Sequence, residues 1–474
     1  MSEPHEGEVP ERRSDDESGL PPQIAEVFRN LTGGAPIPPE MVEMLRNSGI
    51  ADLDPQMLSM MAQQVQTMFS RGPSEDPVDL EVARDVARKV TAASADPVPS
   101  ARDQEEAHDS VTVAGLWLDA VTSVAGGSQR GRAWSRAQWV EASMPVWGDL
   151  VAPVAQGVAD AVGAAMAAQL ADLGDVEIPG VGRLPEGALS EMQPILRRLH
   201  GSLFSLQLGQ GVGSLAGEVL TGCEIGLPLI AGPDVVLLAE SVRELAAGLE
   251  IDAPQVWLYL AVRESARTRL FADNRWIAED LLAAVRDYAA DITIDTAGIE
   301  QAISSIDVQN PAAVQEALQG QLFTAEPSVA QRRALARLET SLALVEGWVD
   351  HVTAQATAAH LPQSAALGEA VRRRRATGGP AERTFAALVG LELRPRRLRD
   401  AANLFAALEA RGGPELRDGA WEHPDLAPTS ADLDDPLGYV ERRAAPAGDD
   451  LDAELDALLH RVQDEGDGPD PERP

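Results

Sequence analysis

Apolar residues recur at helical spacing along most of the chain, and three stretches set the pattern. In 254–276 (PQVWLYLAVRESARTRLFADNRW) they stand at Val256, Leu258, Leu260, Ala261, Val262, Ala266, Leu270 and Phe271. That spacing predicts a helix buried on most of its sides. Pro254 suits its first turn, where a missing N–H breaks no bond. In 331–359 a stripe through Leu335, Leu338, Leu342, Leu344, Val345, Val349 and Val352 predicts a second long helix, with Glu346, Asp350 and His351 on or beside the stripe. In 133–155 (AWSRAQWVEASMPVWGDLVAPVA) Ser135 is placed to cap a third helix, and Trp134, Trp139 and Trp147 read as packing residues.

Shorter helices are predicted at 78–91, from about Ser110, and from Trp276 to Ala290. Two rows of small residues, Gly157/Ala161/Ala165 and Gly209/Gly213/Gly217, read as places where helix backbones approach closely. Only 176–184 and 223–234 suggest short strands or loops, because their Gly and Pro preclude long helices. The expected fold class is therefore mainly α, a multi-helix domain with disordered acidic termini. Its expected divisions are a disordered acidic segment 1–36, a helical leader and linker 37–105, the helical domain 106–436, and an acidic mobile tail 437–474. The Met-rich stretch 39–69 reads as two short helices, and 451–462 as an amphipathic segment within the tail.

Charge narrows the function classes. The net charge is −36, from 75 acids against 39 bases. This argues against nucleic acid and anionic membranes as partners. No uninterrupted apolar run reaches membrane-spanning length, and the N-terminal segment has no apolar core, so a cytoplasmic protein is expected. Lys89 is the only lysine, which with abundant Ala, Gly, Arg and Pro points to a GC-rich bacterial genome. The single cysteine, Cys223, rules out an intramolecular disulfide and reads as a buried structural thiol.

Basic residues concentrate in 371–400, where nine Arg fall, among them Arg372, Arg373, Arg374, Arg375, Arg394, Arg396, Arg397 and Arg399. Two readings are open: a patch for acidic partners, or pairing with the chain's own acids. The overall charge favours the second.

Within the apolar helix stand three charges, Arg263, Glu264 and Arg267, which burial makes costly unless they are paired. The frame R-E-S-A-R has the spacing of H-E-x-x-H, in which two His bind zinc and the Glu activates water. Further stretches carry a wider resemblance: WLD at 117–119, AWSRAQWVEASMPVW at 133–147, GLPL at 226–229, RESARTRLFADNRW at 263–276, LVEGWVDHV at 344–352, 372–401, and HPDLAPTSADLDDP at 423–436. Together they resemble the bacterial zincin-like metallopeptidase type 2 family over roughly residues 80–436.

The resemblance implies a mostly helical zincin-like domain with an acidic zinc ligand on a later helix. It matches Glu264 to the general base and puts Arg263 and Arg267 at the His positions. Glu346 is the candidate third ligand, with Asp350 the second choice. A guanidinium has no acceptor lone pair and cannot ligate a cation. Zinc with two neutral His and a carboxylate sums to +1, and so do two Arg and a carboxylate. A salt-bridge cluster of Arg263, Arg267 and Glu346 is therefore expected, with Glu264 a vestigial base that is also paired. The expected function is a non-catalytic family member, with no cofactor, that keeps the fold to bind a protein or peptide in the vestigial cleft. Two alternatives stand: an active zinc-dependent metalloprotease or hydrolase drawing ligands from His351, His360 or His200, or an interaction protein using the Arg block.

Overall fold

The computed structural model describes residues 76–173, 188–292, 327–376, 384–386, 388, 390–391 and 397–445, without the side chains of 161–200 and of Ala376. The expectations for 1–36, 39–69, 176–184 and 451–462 lie outside the described residues, as do Arg394 and Arg396. The chain divides into two compact units. One comprises 1–79, 155–206 and 294–324, and the other 80–154, 207–293 and 325–474. In the first, Asp79 N–H donates to Ser205 Oγ at 2.8 Å, and Ser205 Oγ donates to the Gly201 carbonyl at 2.6 Å.

Capping chemistry sets where helices begin. Helix α1 spans Leu80–Ala93 and α2 spans Ala101–Asp119. The second starts well before the expected Ser110, inside the expected linker. Ser100 and Asp103 form a reciprocal capping box there, with Ser100 N–H donating to Asp103 at 2.8 Å. Ser135 does the same for α3 (Arg136–Leu173), exchanging bonds with Gln138 at 2.9 and 3.2 Å. Helix α4 spans Ala188–Ala216, α5 Ala239–Leu249, α6 Ala253–Asp273 and α7 Arg275–Ala290. Helix α8 (Val329–Ala358) opens on a Ser328/Gln331 box. Helices α9 (Ser364–Ala376), α10 (Leu398–Asp418), α11 (Ser430–Asp434) and α12 (Pro436–Ala444) follow. Helix α12 begins at the edge of the expected mobile tail and is anchored, since Tyr439 and Val440 are buried.

Among the described residues, two strands interrupt the helices. Strand β1 (Gly131–Trp134) pairs in parallel with β2 (Val235–Leu238), Gly131 against Val235 and Trp134 against Leu238. On the other side of β2, Gly222 N–H donates to Val236 O at 3.0 Å, and Leu238 N–H to Leu220 O at 2.9 Å. Residues 220–222 are thereby fixed beside the sheet.

Helix α6 is the hub. Helices α2, α5, α7, α8 and α9 and strand β2 all pack on it. Nearly every side chain from Val256 to Phe271 is buried. Trp139 and Trp147 are fully buried, and Trp139 Nε1 donates to the Gly222 carbonyl at 2.9 Å. The row Gly209/Gly213 lies against α1: a Cβ at Gly209 would come 2.5 Å from Ala83 O, and one at Gly213 2.7 Å from the Val90 side chain. Gly347 plays the same part between α8 and α10, where a Cβ would meet that of Ala401 at 2.6 Å.

Asp418 ties α10 to the rest. One carboxylate accepts from Thr122 Oγ1 (2.7 Å), Ser123 N–H (2.8 Å), Trp348 Nε1 (2.9 Å) and Arg417 Nε (2.7 Å). Burial pushes its carboxyl up, but Arg417 and these donors more than reverse that and hold it below its ordinary value. A depressed pKa contributes stability that is present above the unfolded value and lost as pH falls through the folded one. Asp418→Ala, which leaves buried Arg417 with Glu409 as its remaining carboxylate and removes the acceptor of Thr122, Ser123 and Trp348, is expected to lower unfolding free energy by about 3 kcal/mol. Urea denaturation from pH 7 to pH 3 should also show a flatter acid limb in the variant. An unchanged midpoint and acid limb would remove this assignment.

Candidate functional site

The site forms where α6 faces α8 and α9. Arg263, Glu264 and Arg267 lie on buried turns of α6, at 4%, 1% and 1% exposure. Glu346 stands opposite on α8, also at 1%. Arg263 donates to Glu346 at 2.8 Å and to Asp350 at 3.2 Å. Arg267 grips both Glu346 oxygens through Nε at 3.1 Å and Nη2 at 2.9 and 3.2 Å. Its other nitrogen donates to Glu264. The structure thus brings Arg263, Arg267, Glu346, Glu264 and Asp350 into one ion network.

Helix α9 adds a third arginine: Arg375 reaches Glu346 at 2.6 Å, and one turn earlier Arg372 reaches Asp350 at 3.2 Å. Glu264 is held from the sheet side, accepting from Cys223 N–H at 2.6 Å and Thr221 Oγ1 at 2.9 Å. Both its oxygens are therefore engaged. Gly226, at φ +89°, passes so near that a Cβ would lie 3.3 Å from Glu346 Oε1. A side chain there would be strained and would press on the cluster.

Electrostatics follow the geometry. Burial pushes the Glu346 carboxyl up, but Arg267, Arg375 and Arg263 outweigh it and hold it at about 2. Burial disfavours the Arg263 and Arg267 cations, yet Glu346 more than compensates, and both lie above the ordinary arginine value. Burial lowers Arg375, and Arg263 and Arg267 push the same way against Glu346. Burial and Glu264 raise the Cys223 thiol to about 12, which leaves it without thiolate reactivity.

The Arg block does not form a free cationic surface among the described residues. Arg372 and Arg373 also pair with Glu369, Arg374 with Glu224, and Arg397 with Asp400 and Asp434. Arg399 is exposed. His351 pairs with Glu409 at 2.5 Å, and the exposed His360 stacks on Trp117 with ring centroids 4.8 Å apart. The side chain of His200 lies outside the described residues. The roles of Arg375, Arg372 and Thr221 were not visible in sequence. The placement of Arg372 and Arg375 about one helical turn apart, on one face, was the available signal.

A family model described as zincin-like metallopeptidase matches residues 78–440. The chain belongs to this family. A search of curated proteins gives no match. Among solved structures, a candidate hydrolase with a novel fold from Chloroflexus aurantiacus is similar at 17% identity, covering 78% of this chain and 100% of that one, with a TM-score of 0.52. At that identity the likeness concerns the fold.

The family implies zinc, so the donors present decide whether it fits. Arg263 and Arg267 offer no lone pair. Glu346 has both oxygens taken by three guanidinium groups. Among the described residues, no group of three or more His, Cys, Asp or Glu could hold a metal ion. With these bonds in place, Arg263, Arg267 and Glu346 do not fit zinc.

Breaking a buried pair costs more than the pair contributes, because the partner is left charged and unsolvated. Arg267→Ala is expected to lower unfolding free energy by about 3–5 kcal/mol. Combined with Glu346→Ala it should lose less than the sum, with a coupling of about 1–3 kcal/mol in urea denaturation. Strictly additive losses would mean the contact has no coupling. Glu346, held at about 2, contributes stability that is complete above its unfolded value and lost as pH falls toward 2, so Glu346→Ala should flatten that limb.

Proposed function

We propose that this chain is a non-catalytic member of the zincin-like metallopeptidase family, in which the former metal position is a structural cross-link between helices. The observation that carries this reading is the engagement of Glu346 by Arg263, Arg267 and Arg375. A catalytic zinc needs about three protein ligands and an open position. Two of the three positions here carry permanent cations, and they would repel a metal ion.

Glu264 supports the same reading. A general base needs a free lone pair within reach of a water. Both Glu264 oxygens accept bonds from Cys223, Thr221 and Arg267, and the side chain is buried. What the fold then offers a partner is its surface, and we place protein or peptide interaction there as the functional role.

The test is the metal content of untagged protein expressed in zinc-supplemented medium, measured by inductively coupled plasma mass spectrometry. Zinc well below one equivalent is expected, with a thermal midpoint unmoved by a chelator. Stoichiometric zinc, with destabilisation on its removal, would falsify the reading and direct attention to ligands outside the motif.

A further inference from the structure

On the face of α8 turned away from Glu346, the structure holds a cavity of about 650 Å³ between α7, α8 and residues 421–430. Its walls include Trp276, Trp421, Leu344 and Pro428, and its charged lining residues are Glu279, Asp280 and Arg337. None of the residues of the arginine–carboxylate cluster lines it. It is an open pocket whose lining is mostly apolar with a few polar groups.

The walls are fixed. Trp276 Nε1 donates to the Trp421 carbonyl at 3.0 Å, the two indoles lie 6.3 Å apart, and Phe405 stacks under Trp421 at 5.4 Å.

The rim selects by charge. Asp280 accepts from Ser341 Oγ at 3.0 Å and pairs with Arg337 at 3.2 Å, while Arg337 is shared with Asp287 at 3.3 Å. Glu279 is exposed and pairs with no cation among the described residues, and the charged lining residues Glu279, Asp280 and Arg337 together sum to −1. Indole faces also attract cations.

We infer that this cavity binds a short basic and apolar peptide segment of a partner protein. An apolar side chain enters between Trp276 and Pro428, and a Lys or Arg beside it meets Glu279. The inference does not depend on whether the family site is catalytic.

The experiment is binding of the full-length protein to a synthetic hexapeptide array in which basic, acidic and apolar positions vary independently. Peptides combining Lys or Arg with an aromatic or aliphatic residue are expected to be retained. Their binding should fall about tenfold or more for Glu279→Arg, a charge reversal at the rim. It should also be lost for Ala336→Trp, which fills the cavity from an exposed position. Circular dichroism and thermal denaturation establish that each variant folds, and Glu279→Arg carries the test if the bulkier variant does not. Retention of no peptide, selection of acidic peptides, or binding that survives both changes would overturn the inference.

Discussion

Three guanidinium groups meeting one carboxylate, Glu346, form the contact on which the core around α6 depends. Helix α6 carries hydrophobic residues on every side and three arginines and a glutamate among them. Such a helix can be buried only if its charges find partners in the same low-dielectric space. Helix α8 supplies Glu346 and Asp350, α9 supplies Arg372 and Arg375, and the segment beside β2 supplies Thr221 and the Cys223 N–H. The buried members Arg263, Arg267 and Arg375 bring three positive charges, and Glu264, Glu346 and Asp350 three negative ones. Neutrality of this buried set is what permits its members to be desolvated.

A second network repeats the principle at the other end of α10. Arg417 is fully buried and reaches Asp418, Glu409 and the Val121 carbonyl, while Asp418 gathers the 122–123 segment and Trp348. The two networks meet α8 on neighbouring turns, through Glu346 and Asp350 on one side and Trp348 on the other. Gly347 lies between them and lets α10 approach where any Cβ would collide with Ala401. One turn of α8 therefore combines close backbone packing with two buried ion clusters.

The long helices were legible because their apolar spacing and caps agree over many residues. Residues 254–273 and 329–358 are examples, with Pro254 and the Ser328/Gln331 box at their starts. The strands were not, because four residues such as Gly131–Trp134 carry too little pattern to separate from a loop. The start of α2 was missed because Ala, Pro and Ser composition outweighed the local S-x-x-D cap. In the site, spacing and family resemblance brought Arg263, Arg267 and Glu346 together, and the charge sum asked for pairing. The part played by Arg375 was hidden because a run of four arginines looks like a solvated face until the orientation of α9 is known. Arg417 and Asp418 gave no signal: adjacent helical residues do not normally face each other, and here they pair only at the C-terminal end of α10.

The cluster also constrains how this chain could change. Zinc is an exchangeable cation with a coordination position to offer, whereas a guanidinium is tethered, permanently charged and fully occupied by its own hydrogen bonds. Exchange of Arg267 for a neutral residue would leave Glu264 without a cation in a core that excludes water, and loss of Glu346 would leave three cations facing one another. Neither can be altered alone without stranding a buried charge. The network is thus a mutually dependent set, in which the residues that resemble a catalytic motif are bound into the packing of the fold itself.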